Sequence, residues 1–268
     1  MTAPRTHPPA PRRATPRWLV VARYETAELW LGSKGLGVLL AISLALAGLS
    51  YLAAANAGIN LLDARESVGV VVQVAIGLGT LAALVVSADA ISGERERGTL
   101  GALLVTPAPR LALVVGKLLA ATTVWVAALV VALPFVLVLA QGPGVARDAV
   151  LALLLVGSLV AAALTALGLA VSAVSLSNRV SLAVAVAALA VLAAPSQLPA
   201  VKANHVASIL FIEANPVSAG LAAASNVVVG CQAWGDQLTL LVSPAVGAVL
   251  LTLLAVLLSR RIELGGAR

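Results

Sequence analysis

Six stretches of this chain are too long and too apolar for water. Residues 36–54, 67–88, 180–196 and 238–258 contain no charged side chain, while 111–140 and 148–174 carry one only near their starts. A run of about 18 or more apolar residues suffices to cross a hydrocarbon layer of about 30 Å as a helix. The whole chain is 61% hydrophobic and only 10% charged, with a mean hydropathy of +1.06. Soluble domains are roughly half apolar and about a quarter charged. A membrane β-barrel would show short alternating segments instead. The expected fold is all-α: a polytopic membrane protein with six transmembrane helices.

Lysine and arginine decide which way the spans run. With the N-terminus inside, only Arg65, Arg147 and Lys202 of the 17 basic residues fall outside. Basic residues collect in cytoplasmic loops, so both termini are expected in the cytoplasm. The plasma membrane is the expected location. A net charge of +6 and a pI near 10.4 then mark the inner membrane face rather than a nucleic-acid partner. A seventh span within 206–231 would reverse Arg260 and Arg261 and bury Glu213, at a cost of a few kcal/mol. Residues 197–237 are therefore read as an external loop with short helices dipping into the outer leaflet.

The remaining segments follow from composition. Residues 1–16, with Pro4, Pro8, Pro9, Pro11, Pro16, Arg5, Arg12 and Arg13, form a basic tail without structure. Residues 17–34 are expected to be an amphipathic helix lying in the interface, with Trp18, Ala22, Thr26, Leu29 and Trp30 on a charge-free arc. Arg17, Glu25 and Glu28 share another side. Cleavage after the LAAANA sequence at 52–57 is not expected, because the preceding charged region is far longer than that of a secretory signal. The six-helix domain covers 35–262, with a cytoplasmic segment at 89–110. Pro107 and Pro109 fix the start of the third span, since proline suits a first helical turn. Pro134 is expected to kink that span near its far end. The fifth span carries Ser181, Ala183, Ala185, Ala187, Ala188 and Ala190. Small residues allow close helix approach, so this span is the candidate for the interior or for a dimer seam.

Much chemistry is excluded. The single cysteine, Cys231, rules out an internal disulfide and a cysteine-built metal or iron–sulfur site. His7 lies in the tail and His205 stands alone, so no metal or nucleophile constellation is expected. Gly116-Lys117 is followed by leucine and lacks the upstream glycine of a phosphate-binding loop. The chain is therefore not expected to be an enzyme, nor to bind ATP or another cofactor. No acidic or basic residue sits mid-span, which argues against a proton-coupled carrier.

What remains is one dense patch of charge. Asp89, Glu94, Arg95, Glu96 and Arg97 fall together between the second and third spans. Leu100, Leu103 and Leu104 follow at i, i+3 and i+4, an apolar stripe suited to a groove on a soluble partner. Residues 91–120, ISGERERGTLGALLVTPAPRLALVVGKLLA, resemble the segment between spans two and three of ABC-2 type transporter permeases. The residues that match are Glu94, Arg95, Glu96, Arg97, Gly98, Thr99, Leu100, Leu103, Leu104, Thr106, Pro107, Gly116, Lys117 and Leu118. Asn215-Pro216 resembles a weaker family feature before the last span. Gly101 departs from the pattern, which often has glutamate there.

The resemblance implies an ABC-2 (type V exporter-like) permease fold and the membrane subunit of an ATP-binding cassette exporter. It implies a cytoplasmic ATPase partner carrying ATP and Mg2+, and a second permease copy or paralogue within the lipid bilayer. Residues 91–106 would be the coupling helix, with Glu94 to Arg97 placing it, Leu100, Leu103 and Leu104 anchoring it, and Pro107 and Pro109 hinging it. The alternative is a membrane anchor or assembly factor that holds a soluble partner without transport. The sequence does not name a substrate.

Overall fold

The computed structural model describes residues 16–32, 34–58, 64–100, 109–198, 206 and 209–259. Among them every regular element is helical. In order these are α1 (Arg17–Leu31), α2 (Lys34–Gly58), α3 (Ala64–Asp89), α4 (Ser92–Glu96), α5 (Arg110–Gln141), α6 (Ala146–Leu151) and a π-helical turn (Ala152–Gly157). There follow α7 (Ser158–Val174), α8 (Asn178–Gln197), a second π-helical turn (Ile209–Glu213), α9 (Pro216–Val228), a 3-10 turn (Trp234–Gln237) and α10 (Leu238–Ser259). Six rods are long and apolar enough to cross a bilayer: Gly35–Ala55, Ala64–Glu96, Arg110–Gln141, Ala146–Val174, Asn178–Gln197 and Trp234–Leu258. The protein is an all-α, multi-pass membrane protein.

The interior is built on the second and fourth rods. Val71, Val72, Ala75, Ile76, Ala83 and Leu84 of α3 are buried against Leu153, Val156, Val160 and Leu164 of the fourth. At their crossing stands Trp125 of α5, which is 3% exposed. A Cβ on Gly79 would lie 2.8 Å from its ring, and one on Gly157 would lie 2.5 Å away. Both glycines are thus needed for the indole to fit. Its N–H donates to the Ser158 hydroxyl at 3.1 Å, which satisfies the one polar atom brought inside. The buried hydroxyls of Thr80 and Thr165 are likewise satisfied, each donating to the carbonyl four residues back at 2.7 Å.

Of the two places expected for the fifth span, the interior of a single copy is not one it fills: half of α8 is exposed, and only Ser181, Ala185 and Ser196 are buried on it. The tight crossing within one copy instead uses glycine on the second and fourth rods. Pro134 sits within α5, where it removes one intrahelical hydrogen bond without ending the helix, which runs on to Gln141.

The stretch expected as an external loop contains a buried helix. Most of α9 is buried, with Ser218, Ala219, Ala223 and Val228 inaccessible, and it packs on α3, α8 and α10. The turn before it dips among the spans. Asn215 caps α9 by accepting from the N–H groups of Val217 and Ser218 at 3.0 and 3.3 Å. The Asn215 amide and the Ser218 hydroxyl both donate to the Leu192 carbonyl, at 2.8 and 2.6 Å. Leu192 lies about 8 Å inside the far end of α8, at 1.5 Å per residue. Two hydrogen bonds therefore tie the turn to the body of α8, and two more cap α9 itself.

Candidate functional site

The charged segment is fixed by its own neighbours. Asp89 ends α3, and α4 is a single turn closed by Gly98, whose φ of +74° lies in the left-handed region that favours glycine. Buried serines bond this turn to the facing spans. The Ser172 hydroxyl of α7 accepts from the N–H groups of Ile91 and Ser92 at 3.0 and 2.9 Å. The Ala88 carbonyl accepts from the hydroxyls of Ser92 and Ser181, both at 2.8 Å. Three elements, α3, α7 and α8, are tied together at one point.

The charges then go to specific partners. Lys117 of α5 is buried, with 3% of its side chain exposed, and its ammonium donates to Glu94 at 2.6 Å and to Glu25 of α1 at 2.7 Å. Arg95 donates to the Ser175 carbonyl and, at 3.3 Å, to that of Ala173. These are end carbonyls of α7, where a cation is favoured by the helix dipole. Glu96 accepts from the Asn178 N–H at 2.9 Å, placing a carboxylate at the start of α8. Arg97 pairs with Asp89 at 3.6 Å, with side chains 48% and 28% exposed. Leu100 is buried with Ile91, Val114, Leu169 and Ala173. Glu96, Arg97, Gly98 and Thr99 form the exposed tip.

A soluble partner can therefore meet the tip, while Glu94 and Arg95 are turned inward. Leu103, Leu104, Thr106 and Pro107 lie outside the described residues.

Two features were not readable from sequence. Glu25, expected on the polar side of α1 with Arg17 and Glu28, turns inward to Lys117. Helical phase shows which residues share a face but not what the face meets. The Gly116-Lys117 pair also acquires a reason. A Cβ on Gly116 would lie 2.5 Å from Cγ1 of Val21 and 3.0 Å from the backbone nitrogen of Ala22. Glycine lets α1 cross α5 in direct contact, and the neighbouring lysine joins α1 to α4. Trp30 of α1 adds a hydrogen bond to the Thr123 hydroxyl at 3.1 Å. A buried lysine between two carboxylates, within a framework of serine hydroxyls, holds elements in position. Among the described residues no group of histidine, cysteine, aspartate or glutamate could hold a metal ion.

Residues 33–260 match the family model described as ABC-2 family transporter protein. No curated protein matched the chain. The matched region takes in all six long rods together with α4 and Lys117.

Proposed function

Because the chain belongs to the ABC-2 transporter family and is a membrane permease of an ABC transporter, we propose that it works as half of a plasma-membrane exporter driven by a separate cytoplasmic ATPase. The ATPase, with its ATP and Mg2+, seats on residues 91–106, and a second permease copy or paralogue completes the pathway. Both termini lie in the cytoplasm. Glu94 and Arg95 set the position of the segment, and Glu96 to Thr99 meet the partner. Leu100 anchors the segment from within, joined by Leu103 and Leu104. Pro107 hinges it to α5.

One observation carries this reading: the short helix α4 is joined by ion pairs and hydrogen bonds to α5, α7 and α8, and through Lys117 of α5 to α1. A push on its tip reaches four elements without crossing a flexible connection. Reading the segment as a plain loop gives no reason for so many buried polar links.

The test is to reverse charge at Glu94 and Glu96 together (E94K, E96K) in the full chain and to purify it from its native membranes. Loss of the co-purifying ATPase, or of its ATP turnover in the assembled complex, is expected. Unchanged assembly with unchanged turnover would refute the docking role.

A further inference from the structure

A groove of about 840 Å3 opens on the flank of the bundle, away from the charged elbow. Its walls are apolar, from Leu167 of α7, Val191 and Leu192 of α8, and Val246 and Leu250 of α10. It extends along α10 from Thr239 to Leu251, about 18 Å at 1.5 Å per residue. One bilayer leaflet contributes about half of the 30 Å core. The groove is therefore about as long as one leaflet's hydrocarbon is thick.

One carboxylate enters this apolar space. Glu213 lines the groove next to Ala214 and Pro216, in the turn held at the Leu192 carbonyl. Pro216 also packs beside Gly247, about 14 Å inside the start of α10. The turn thus sets Glu213, itself exposed, beside the middle of α10. An ionisable group there is costly and is typically kept for ligands, ions or protons. Among the described residues no cationic side chain lines the groove or pairs with Glu213. The start of α9 contributes about half a positive charge to the turn, so the described residues of the site keep a net negative charge.

We infer that this groove binds a lipophilic organic cation, its charged centre beside Glu213 and its apolar body along Val246 and Leu250. The inference rests on the exporter reading and names the substrate class for it. A bare metal ion does not fit, because hard cations take six or more oxygen ligands and, among the described residues, the polar side chains in the walls are Glu213, Thr239 and Ser243. An anion meets the wrong charge. The volume is that of a small-molecule site, which typically measures about 300–1,000 Å3.

The experiment compares two ions of the same shape and opposite charge, tetraphenylphosphonium and tetraphenylborate. Binding of each to the full chain in lipid nanodiscs is measured by equilibrium dialysis against empty nanodiscs. Saturable binding of the phosphonium alone is expected. Glu213→Gln should weaken it at least tenfold, and Leu250→Trp, which fills the groove, should abolish it. Equal phosphonium affinity in Glu213→Gln, equal binding of the borate, or no binding above empty discs would each overturn the inference. So would efficient cross-linking of two copies through Val246→Cys in a Cys231→Ser background, because a second copy would then occupy the groove. Binding requires no ATPase. If the wild-type chain binds the phosphonium but E94K/E96K leaves ATPase assembly and turnover intact, the docking role falls and the groove stands.

Discussion

Replacing Lys117 by methionine isolates the ionic junction. Methionine keeps the length and apolar stem of lysine and removes the charge. The variant leaves Glu25 and Glu94 facing each other, with side chains only 15% and 13% exposed, where one ammonium now lies 2.7 and 2.6 Å from them. Removing one partner of a buried ion pair costs about 3–5 kcal/mol, because an uncompensated charge stays behind. For a chain of this size that corresponds to a fall in melting temperature on the order of 10 °C. Neutralising the carboxylates as well, in the triple variant K117M/E25Q/E94Q, should recover most of the loss. Thermal unfolding of purified protein in nanodiscs reads both numbers. If K117M melts within 2–3 °C of wild type, or if the triple variant is no better than K117M, the charge argument is wrong. The same proteins assembled with their ATPase would show whether the junction also transmits motion. Turnover should then separate from transport in K117M.

Two further outcomes follow from packing. Gly157→Ala places a methyl group 2.5 Å from the Trp125 ring, so overpacking should cost about 1–3 kcal/mol; thermal unfolding checks it, with Trp125→Phe as partial rescue. Asn215→Ala removes the α9 cap and the link to the Leu192 carbonyl. A cap contributes about 1 kcal/mol and a hydrogen bond about the same. The expected result is a loss of about 2 kcal/mol, measured by thermal unfolding, together with weaker tetraphenylphosphonium binding.

The sequence was most legible where length alone decides. Six rods cross because no shorter arrangement can satisfy so many backbone groups in hydrocarbon, and the bounds of Arg110–Gln141 follow from Pro109 before it and the Gln141–Gly144 turn after it. It was less legible where tertiary contact decides. Glu213 and the orientation of Arg260 and Arg261 pointed to an external loop, yet Ser218 is fully buried, its hydroxyl donating a hydrogen bond to the Leu192 carbonyl. Glu213 belongs to no span, so its place beside α10 is invisible without the turn that carries it there. At the elbow, charge density located the segment, but pairing could not be read from spacing. Lys117 lies 23 residues from Glu94 and 92 from Glu25.

The indole of Trp125 has a consequence for the route of any cargo. Where the second, third and fourth rods meet, the ring leaves no room even for an added methyl on either flanking glycine. A single copy is therefore solid at its centre, a keel rather than a pipe. Whatever crosses the bilayer with its help must slide along an outer side, so cargo preference should be decided by residues that look away from the core.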